Sequence, residues 1–336
     1  MAPAPGLIIA APASGAGKTT LTLALLRHFA RAGVAVAAAK AGPDYIDPPF
    51  HAAACGRGCV NLDPWAMRHE TLAALVAEAS EGAELVLCEG VMGLFDGALA
   101  DGRADAGSTA DLAAITGWPV VLVVDVRGQG ASAAALVHGF ARHRAEVRVA
   151  GVVFNRIGGE RHASMLAAAM AAALPELPLL GLVPRQPALA LPERHLGLVQ
   201  AGEHRELDQF LDRAAELIAA HVETERLRAL AGPPAAADGV GPPVPLAPLG
   251  QRIAVASDAA FAFTYASVLR GWRRAGAELD FFSPLADEAP PAHADAVYLP
   301  GGYPELHAGR LAANMRFRDG LRAAVARGAA VYGECG

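Results

Sequence analysis

Leu7-Ile-Ile-Ala-Ala-Pro-Ala-Ser-Gly-Ala-Gly-Lys18-Thr19-Thr20, followed at once by Leu21, Leu23, Leu25 and Leu26, is the stretch that decides the fold. A short apolar run gives way to a Gly-rich turn and then to leucines at helical spacing. Strand, loop and helix in that order are the context in which G-x-x-x-x-G-K-[ST] has physical meaning. Gly15 and Gly17 let successive backbone N–H groups turn inward onto phosphate oxygens, and the helix dipole adds positive potential there. Ser14, Gly15, Ala16, Gly17, Lys18, Thr19 and Thr20 are therefore the expected ATP-binding residues. Lys18 is expected to reach the β- and γ-phosphates and Thr19 to ligate Mg²⁺. Pro12 stands where the pattern has its first glycine, while the later positions keep their spacing.

From this loop outward, short apolar runs alternate with alanine- and leucine-rich helical segments. The expected strands are Leu7 to Pro12, Val34 to Lys40, Glu84 to Glu89, Val120 to Asp125, Val149 to Asn155 and Leu179 to Val183. Helices are expected from Thr19, Arg68, Ala110, Ala131, His162 and Arg205, the last running to about Leu230. Strands separated by crossover-length helices predict an α/β fold, a doubly wound parallel sheet. Residues 231–250, rich in Pro and Gly and without period, read as a linker between a first domain, 1–230, and a second, 251–336. The second domain repeats the pattern with strands at Arg252 to Ser257, Leu279 to Ser283, Ala296 to Pro300 and Ala330 to Glu334, and helices near Phe261 and Leu311. About 86 residues are few for such a domain, so it reads as cut short.

Composition excludes several classes. Hydrophobic residues make up 53% and charged residues 18%, too apolar for a disordered chain. No apolar run reaches the about 18–20 residues of a membrane-spanning helix, and the start has no basic segment of a secretory signal, which points to a cytoplasmic enzyme. The net charge of −6 with scattered Lys and Arg gives no footprint for nucleic acid. Four cysteines, Cys55, Cys59, Cys88 and Cys335, are too irregular for a disulfide framework or a zinc site.

In open parallel sheets the ligand lies beyond the carboxyl ends of the strands, which makes acids there suspects. The second expected strand ends Lys40-Ala-Gly-Pro-Asp44-Tyr-Ile-Asp47-Pro-Pro-Phe-His51, and the third ends Glu89-Gly-Val-Met-Gly-Leu-Phe-Asp96-Gly. Mg²⁺ on nucleotide phosphates is usually held by a loop hydroxyl and one or two carboxylates. Glu89 fits best, and Asp125, also at a strand end, competes with it. Lys40 either pairs with one of these acids or meets an anionic substrate. At the far end of the chain, Leu299-Pro-Gly301-Gly302-Tyr and Tyr332-Gly-Glu334-Cys335-Gly336 each run from a strand into a small-residue turn. Such turns can expose a nucleophilic thiol and build an oxyanion hole from backbone N–H groups.

With the Gly-rich loop, Lys40-Ala-Gly-Pro-Asp-Tyr-Ile-Asp-Pro, Gly56-Arg57 through Asn61-Leu-Asp63, Glu89-Gly-Val-Met-Gly-Leu-Phe-Asp96-Gly, Pro192-Glu-Arg-His195-Leu-Gly-Leu198 and Leu299-Pro-Gly-Gly-Tyr-Pro-Glu-Leu-His307 in this order, the chain closely resembles the cobyrinic or hydrogenobyrinic acid a,c-diamide synthases. The resemblance implies a dethiobiotin-synthetase-like P-loop domain followed by part of a flavodoxin-like class I glutamine amidotransferase domain. It implies glutamine hydrolysis at Cys335 and ATP-dependent amidation of two corrinoid acetates with the ammonia released. It also implies metal binding by Thr19, Asp47 and Glu89 and catalysis by Asp44, Asp47 and Asp96. Asn155 resembles the residue that reads adenine in dethiobiotin-synthetase-like enzymes. The implied partners are hydrogenobyrinic or cobyrinic acid, ATP and glutamine or ammonia, in a homodimer, without nucleic acid or membrane. Related tetrapyrrole amidases, cobyric acid synthase or nickel-sirohydrochlorin diamide synthase, share the pattern. So does a P-loop switch ATPase, though such proteins carry a signature lysine where Ala13 stands.

Overall fold

The computed structural model describes residues 3–100, 102–186, 193–194, 197–204, 206–235 and 246–334. The chain divides into two compact units, Met1–Pro242 and Pro243–Gly336.

The first unit is built on β1 (Gly6–Ala10), β2 (Val36–Ala41), β3 (Cys59–Leu62), β4 (Leu85–Glu89), a hairpin of β5 (Ala98–Ala100) and β6 (Arg103–Ala106), then β7 (Val120–Asp125), β8 (Val149–Ile157) and β9 (Leu179–Pro184). Seven of these form one sheet in the order β3-β2-β4-β1-β7-β8-β9, with every pairing parallel. A two-residue pair, β10 (Glu193–Arg194) and β11 (Gly197–Leu198), stands apart. The crossovers are α1 (Lys18–Arg31), α2 (Asp47–Cys55), α3 (His69–Ser80), α4 (Thr109–Thr116), α5 (Ser132–Arg142) and α6 (Glu160–Ala173), with α7 (Leu207–His221) and α8 (Thr224–Ala229) closing the unit. The strands read as unbroken apolar runs because both faces are covered. Ile8, Val86, Leu122 and Phe154 pack into one core layer, and Leu7, Ile9, Leu87 and Val121 pack into the other with Leu23, Leu26 and Phe29 of α1. Arg27 of α1 pairs with Asp212 of α7 at 2.7 Å.

Where expectation and structure differ, the causes are local. Helix α2 hides behind Pro48 and Pro49, which read as a turn but sit in the first turn of a helix, where a missing N–H breaks nothing. The four-residue β3 is too short to show a period. The helix expected from Arg205 to Leu230 breaks at Val222, where the Glu223 N–H leaves the helix to donate to the Leu180 carbonyl at 2.8 Å. At the end of this unit, Gly232 exchanges two backbone hydrogen bonds with Gly6, and the Ala235 N–H donates to the Thr116 carbonyl. Residues 231–235 thus belong to the packed structure rather than to a free linker.

The second unit carries β12 (Arg252–Ala256), β13 (Glu278–Phe282), β14 (Ala296–Leu299) and β15 (Ala330–Gly333) in a parallel sheet of order β13-β12-β14-β15. Its helices are α9 (Ala266–Arg274), α10 (Ala308–Ala313) and α11 (Met315–Ala326). The helix expected near Phe261 starts later because residues 258–265 are tied as a loop. Asp258 accepts from the Ala260 N–H, the Ser283 hydroxyl and the Leu285 N–H, and the Phe263 N–H donates to the Gly301 carbonyl at 2.9 Å. Among the described residues no helix is long and apolar enough to cross a membrane.

Candidate functional site

The Gly-rich loop lies between β1 and α1, at the carboxyl edge of the first sheet. Gly17 caps α1 in the left-handed conformation (φ 94°), and Gly15 is left-handed as well (φ 75°). A Cβ on Gly17 would collide with the Asn155 amide nitrogen, and its left-handed backbone favours glycine in any case. Lys18 is buried and its ammonium donates to the Met92 carbonyl at 2.6 Å. Burial lowers its pKa, against the pull of Glu89 and Asp47. The Met92 carbonyl is presented by a left-handed turn (φ 49°) that continues into Gly93, where a Cβ would collide with Asp96 and with the Pro12 carbonyl. The 90–96 segment is therefore fitted against the start of the loop. Asp96, exposed at its end, accepts from the Gly93 N–H at 2.8 Å.

On the β2–β4 side, charges gather inside the protein. Thr19 donates its hydroxyl to Glu89 Oε1 at 2.6 Å. Glu89, 1% exposed, also receives Lys40 Nζ on Oε1 at 3.1 Å and His51 Nε2 on Oε2 at 2.6 Å. Lys40 in turn meets Asp47 at 2.5 Å and Asp44 at 3.7 Å. Three carboxylates thus converge on one buried ammonium. Burial alone would depress the Lys40 pKa, but Glu89, Asp47 and Asp44 outweigh it and hold the ammonium above its ordinary value. Burial likewise opposes ionisation of Glu89, and Lys40, His51 and Thr19 more than reverse it, so Glu89 is a firm anion. Asp47 carries the opposite outcome, pushed up to about 6 by its burial and by the charge of Glu89. Asp44 accepts from the Ile46 and Asp47 N–H groups at the start of α2, while Asn61 donates to the carbonyls of Gly42 and Asp44 and so fixes the loop between β2 and α2. His51 and Asn61, given no chemistry by sequence, are parts of this cluster that only the fold brings to Glu89 and Asp44.

On the β7–β8 side, Asp125 is held by Arg127 at 2.8 Å and by Arg156 at 2.5 Å. It faces arginines, whereas the Thr19 hydroxyl is on Glu89. Asn155 donates its amide to the Ala16 carbonyl at 2.9 Å. Beside it opens a cleft of about 240 Å³ lined by Gly17, Thr20, Leu21, Asn155, Val183 and Leu217, next to the phosphate loop and large enough for a nucleobase.

Thr19 and Glu89 are hard oxygen donors within reach of one ion, which fits Mg²⁺ on nucleotide phosphates. Among the described residues no three His, Cys, Asp or Glu side chains converge as a metal cage, so the other ligands of such an ion would come from phosphates and water. Asp47, the third expected ligand, accepts from Lys40 Nζ.

In the second unit, β14 and β15 are neighbours in register, Leu299 opposite Gly333, and the Glu334 N–H donates to the Leu299 carbonyl at 2.9 Å. The Gly301–Gly302 turn and Glu334 thus follow adjacent strand ends. Cys335 and His195 lie outside the described residues.

A parallel sheet carrying a Gly-rich loop, with a buried carboxylate on the loop threonine, defines a P-loop nucleotide-binding protein. Residues 7–199 match the family model of the CobQ/CobB/MinD/ParA nucleotide binding domain, and residues 252–336 match that of the CobB/CobQ-like glutamine amidotransferase domain. The chain belongs to the hydrogenobyrinate a,c-diamide synthase family. It is 56% identical over 332 residues to the hydrogenobyrinate a,c-diamide synthase of Brucella anthropi, 55% over 331 residues to that of Rhizobium meliloti and 54% over 331 residues to that of Rhodobacter capsulatus. The alignments cover 98% of this chain and 74–75% of those relatives. Among solved structures, chloroplast FtsY from Physcomitrella patens aligns with a TM-score of 0.40 at 18% identity, over 64% of this chain and 65% of that one, too slight a likeness to add to the assignment.

Proposed function

We propose that the chain catalyses ATP-dependent amidation of the a and c acetate carboxylates of a corrinoid through acyl phosphates, with ammonia supplied by glutamine hydrolysis. The observation that carries this reading is the convergence of Lys18, Thr19 and Glu89 at the phosphate loop with Asp44, Asp47 and Asp96 around them. The relatives' name favours hydrogenobyrinic over cobyrinic acid as substrate.

A carboxylate is a poor electrophile, so it must first gain a leaving group. Its oxygen attacks the γ-phosphorus of ATP, the bond to the β,γ-bridging oxygen breaks and ADP departs. Ammonia then adds its lone pair to the acyl carbon, the bond to the phosphate oxygen breaks, and phosphate leaves while nitrogen sheds a proton. For such chemistry positioning and charge stabilisation dominate. Lys18 exchanges the Met92 carbonyl for the β- and γ-phosphates. Thr19 and Glu89 hold Mg²⁺, which when bound neutralises phosphoryl charge. Ser14 to Thr20 cradle the phosphates, and the cleft beside Asn155 takes the base. Asp44, Asp47 and Asp96 form an acidic rim that draws ammonium in and accepts its proton. In the second unit Cys335 is the nucleophile on glutamine, and the turn at Gly302 supplies the oxyanion contacts. A homodimer and a cytoplasmic location follow from the family resemblance.

The test is phosphate release by the purified chain with Mg²⁺ and ATP, with and without hydrogenobyrinic acid, using ammonium chloride or glutamine, together with mass spectrometry of the corrinoid. Corrinoid-dependent turnover yielding a diamide with ammonium chloride supports the ligase. ATP hydrolysis indifferent to every corrinoid overturns it and favours the switch ATPase.

A further inference from the structure

We propose that Asn155 and Arg156 are positioning residues that hold the phosphate loop in its anion-binding shape from outside. The Asn155 amide donates to the Ala16 carbonyl at 2.9 Å, and Arg156 Nη1 donates to the Gly15 carbonyl at 2.7 Å. In a planar trans peptide the carbonyl and the N–H of the next residue point in opposite directions. Pinning the Gly15 and Ala16 carbonyls outward therefore aims the Ala16 and Gly17 N–H groups inward, where successive amides make an anion-binding concavity. Among the described residues neither of these two N–H groups donates to another part of the chain.

Neighbouring side chains on a strand face opposite ways, so one strand does not ordinarily deliver two in a row to the same loop. Strand β8 does so through a local break. Arg156 is left-handed (φ 65°), and the register with β9 jumps from Asn155–Val183 to Ile157–Pro184, two residues against one. That bulge turns Arg156 toward the loop, and a non-glycine residue held at positive φ is strain of the kind kept at functional positions. Asn155 Oδ1 accepts from the Arg156 N–H at 2.9 Å and locks the pair. Asp125 shares Arg156 Nη1 at 2.5 Å and is itself gripped by Arg127, so the acid that sequence offered as a metal ligand orients the brace. The inference needs only a phosphate-binding loop and stands or falls apart from the amidation chemistry.

The test is calorimetric binding of ADP, GDP and inorganic tripolyphosphate to the full chain carrying Asn155→Ala, Arg156→Ala, Arg156→Lys or Arg156→Gly. Loss of either brace is expected to weaken tripolyphosphate and ADP by a common factor of about tenfold, the size of one lost hydrogen bond to an ordered group. Arg156→Lys, which keeps one donor, is expected to recover part of the loss. Arg156→Gly relieves the left-handed backbone while removing the same side chain, so it is expected to fold at least as well as Arg156→Ala, yet to bind tripolyphosphate as weakly. Full tripolyphosphate affinity in Arg156→Gly overturns the role of Arg156. An Asn155→Ala variant that keeps tripolyphosphate affinity and only loses its preference for ADP over GDP makes Asn155 a reader of the base, not a brace.

Discussion

Glu89 and Asp125 end the two strands that flank β1, Glu89 level with Ile9 and Asp125 three residues beyond the Leu122 that faces Ala10, and they have become different groups. Glu89 is sealed in the protein with Thr19, Lys40 and His51 on its two oxygens. Asp125 is partly exposed and spent on Arg127 and Arg156. A strand-end position makes an acid available to a ligand, and the fold places different partners beside the two. On the buried side the cations leave a net negative cluster facing the loop threonine. On the exposed side they neutralise the acid and turn it into a support.

The largest expected effect breaks this comparison directly. Glu89→Gln keeps the shape and removes the charge that pairs with Lys40 and faces Thr19. Corrinoid-dependent phosphate release is expected to fall by about 10²–10³, the scale of losing one preorganised electrostatic contact to the reacting phosphates. Asp125→Asn in the same assay is expected to lose only a few-fold, through a loosened Arg156. Equal losses would mean that the two acids share the metal and that the asymmetry of their partners is idle.

Much of this architecture was legible. The six longer strands and the phosphate loop announced themselves because buried strands are unbroken apolar runs and the loop has fixed spacing. Helix α2 and strand β3 were not, because prolines at a helix start and a four-residue strand carry the same local signal as a turn. The acids at Asp44, Asp47, Glu89 and Asp96 were legible as strand-end residues. Pairing of Lys40 with one of these acids was one of two open readings, and which acids it meets was not legible, since the Lys40–Glu89 and His51–Glu89 contacts join residues from separate crossovers. For Asn155 the family resemblance implies a nucleobase; its amide meets the Ala16 carbonyl of the loop and it also lines the neighbouring cleft.

Lys40 sharpens the contrast on the side of stability. Removing one partner from a buried charge pair leaves the others uncompensated and typically costs about 3–5 kcal/mol. Lys40→Met is expected to destabilise the first unit on that scale in urea unfolding, because Asp47 and Glu89 would face each other with no cation between them. Adding Asp47→Asn to Lys40→Met is expected to restore part of the loss. A double variant no more stable than Lys40→Met would show that the two carboxylates do not strain each other. Arg127→Ala, which removes an exposed partner of Asp125, is expected to leave unfolding nearly unchanged.

The smallest effect tests the exposed side by pH. Burial alone would raise the Asp125 pKa, but its hydrogen bonds from Arg127 and Arg156 outweigh it, and the folded carboxyl lies below its ordinary value. A depressed folded pKa means that the unfolded chain binds the proton first, so this contribution is complete above about pH 5 and fades as pH falls through the unfolded value near 3.9. The difference in melting temperature between the parent and Asp125→Asn is therefore expected to be constant from about pH 5 to 7 and to shrink below pH 4. Because these ion pairs border solvent, raising the salt from about 0.1 to 1 M, which shortens the screening length from about 10 to 3 Å, is expected to narrow the same gap at neutral pH. The gap between the parent and Glu89→Gln, set inside the protein, is expected to survive that salt. If both gaps narrow alike, solvent reaches the Glu89 cluster as freely as it reaches Asp125, and the two sides of the loop differ in sequence but not in electrostatics.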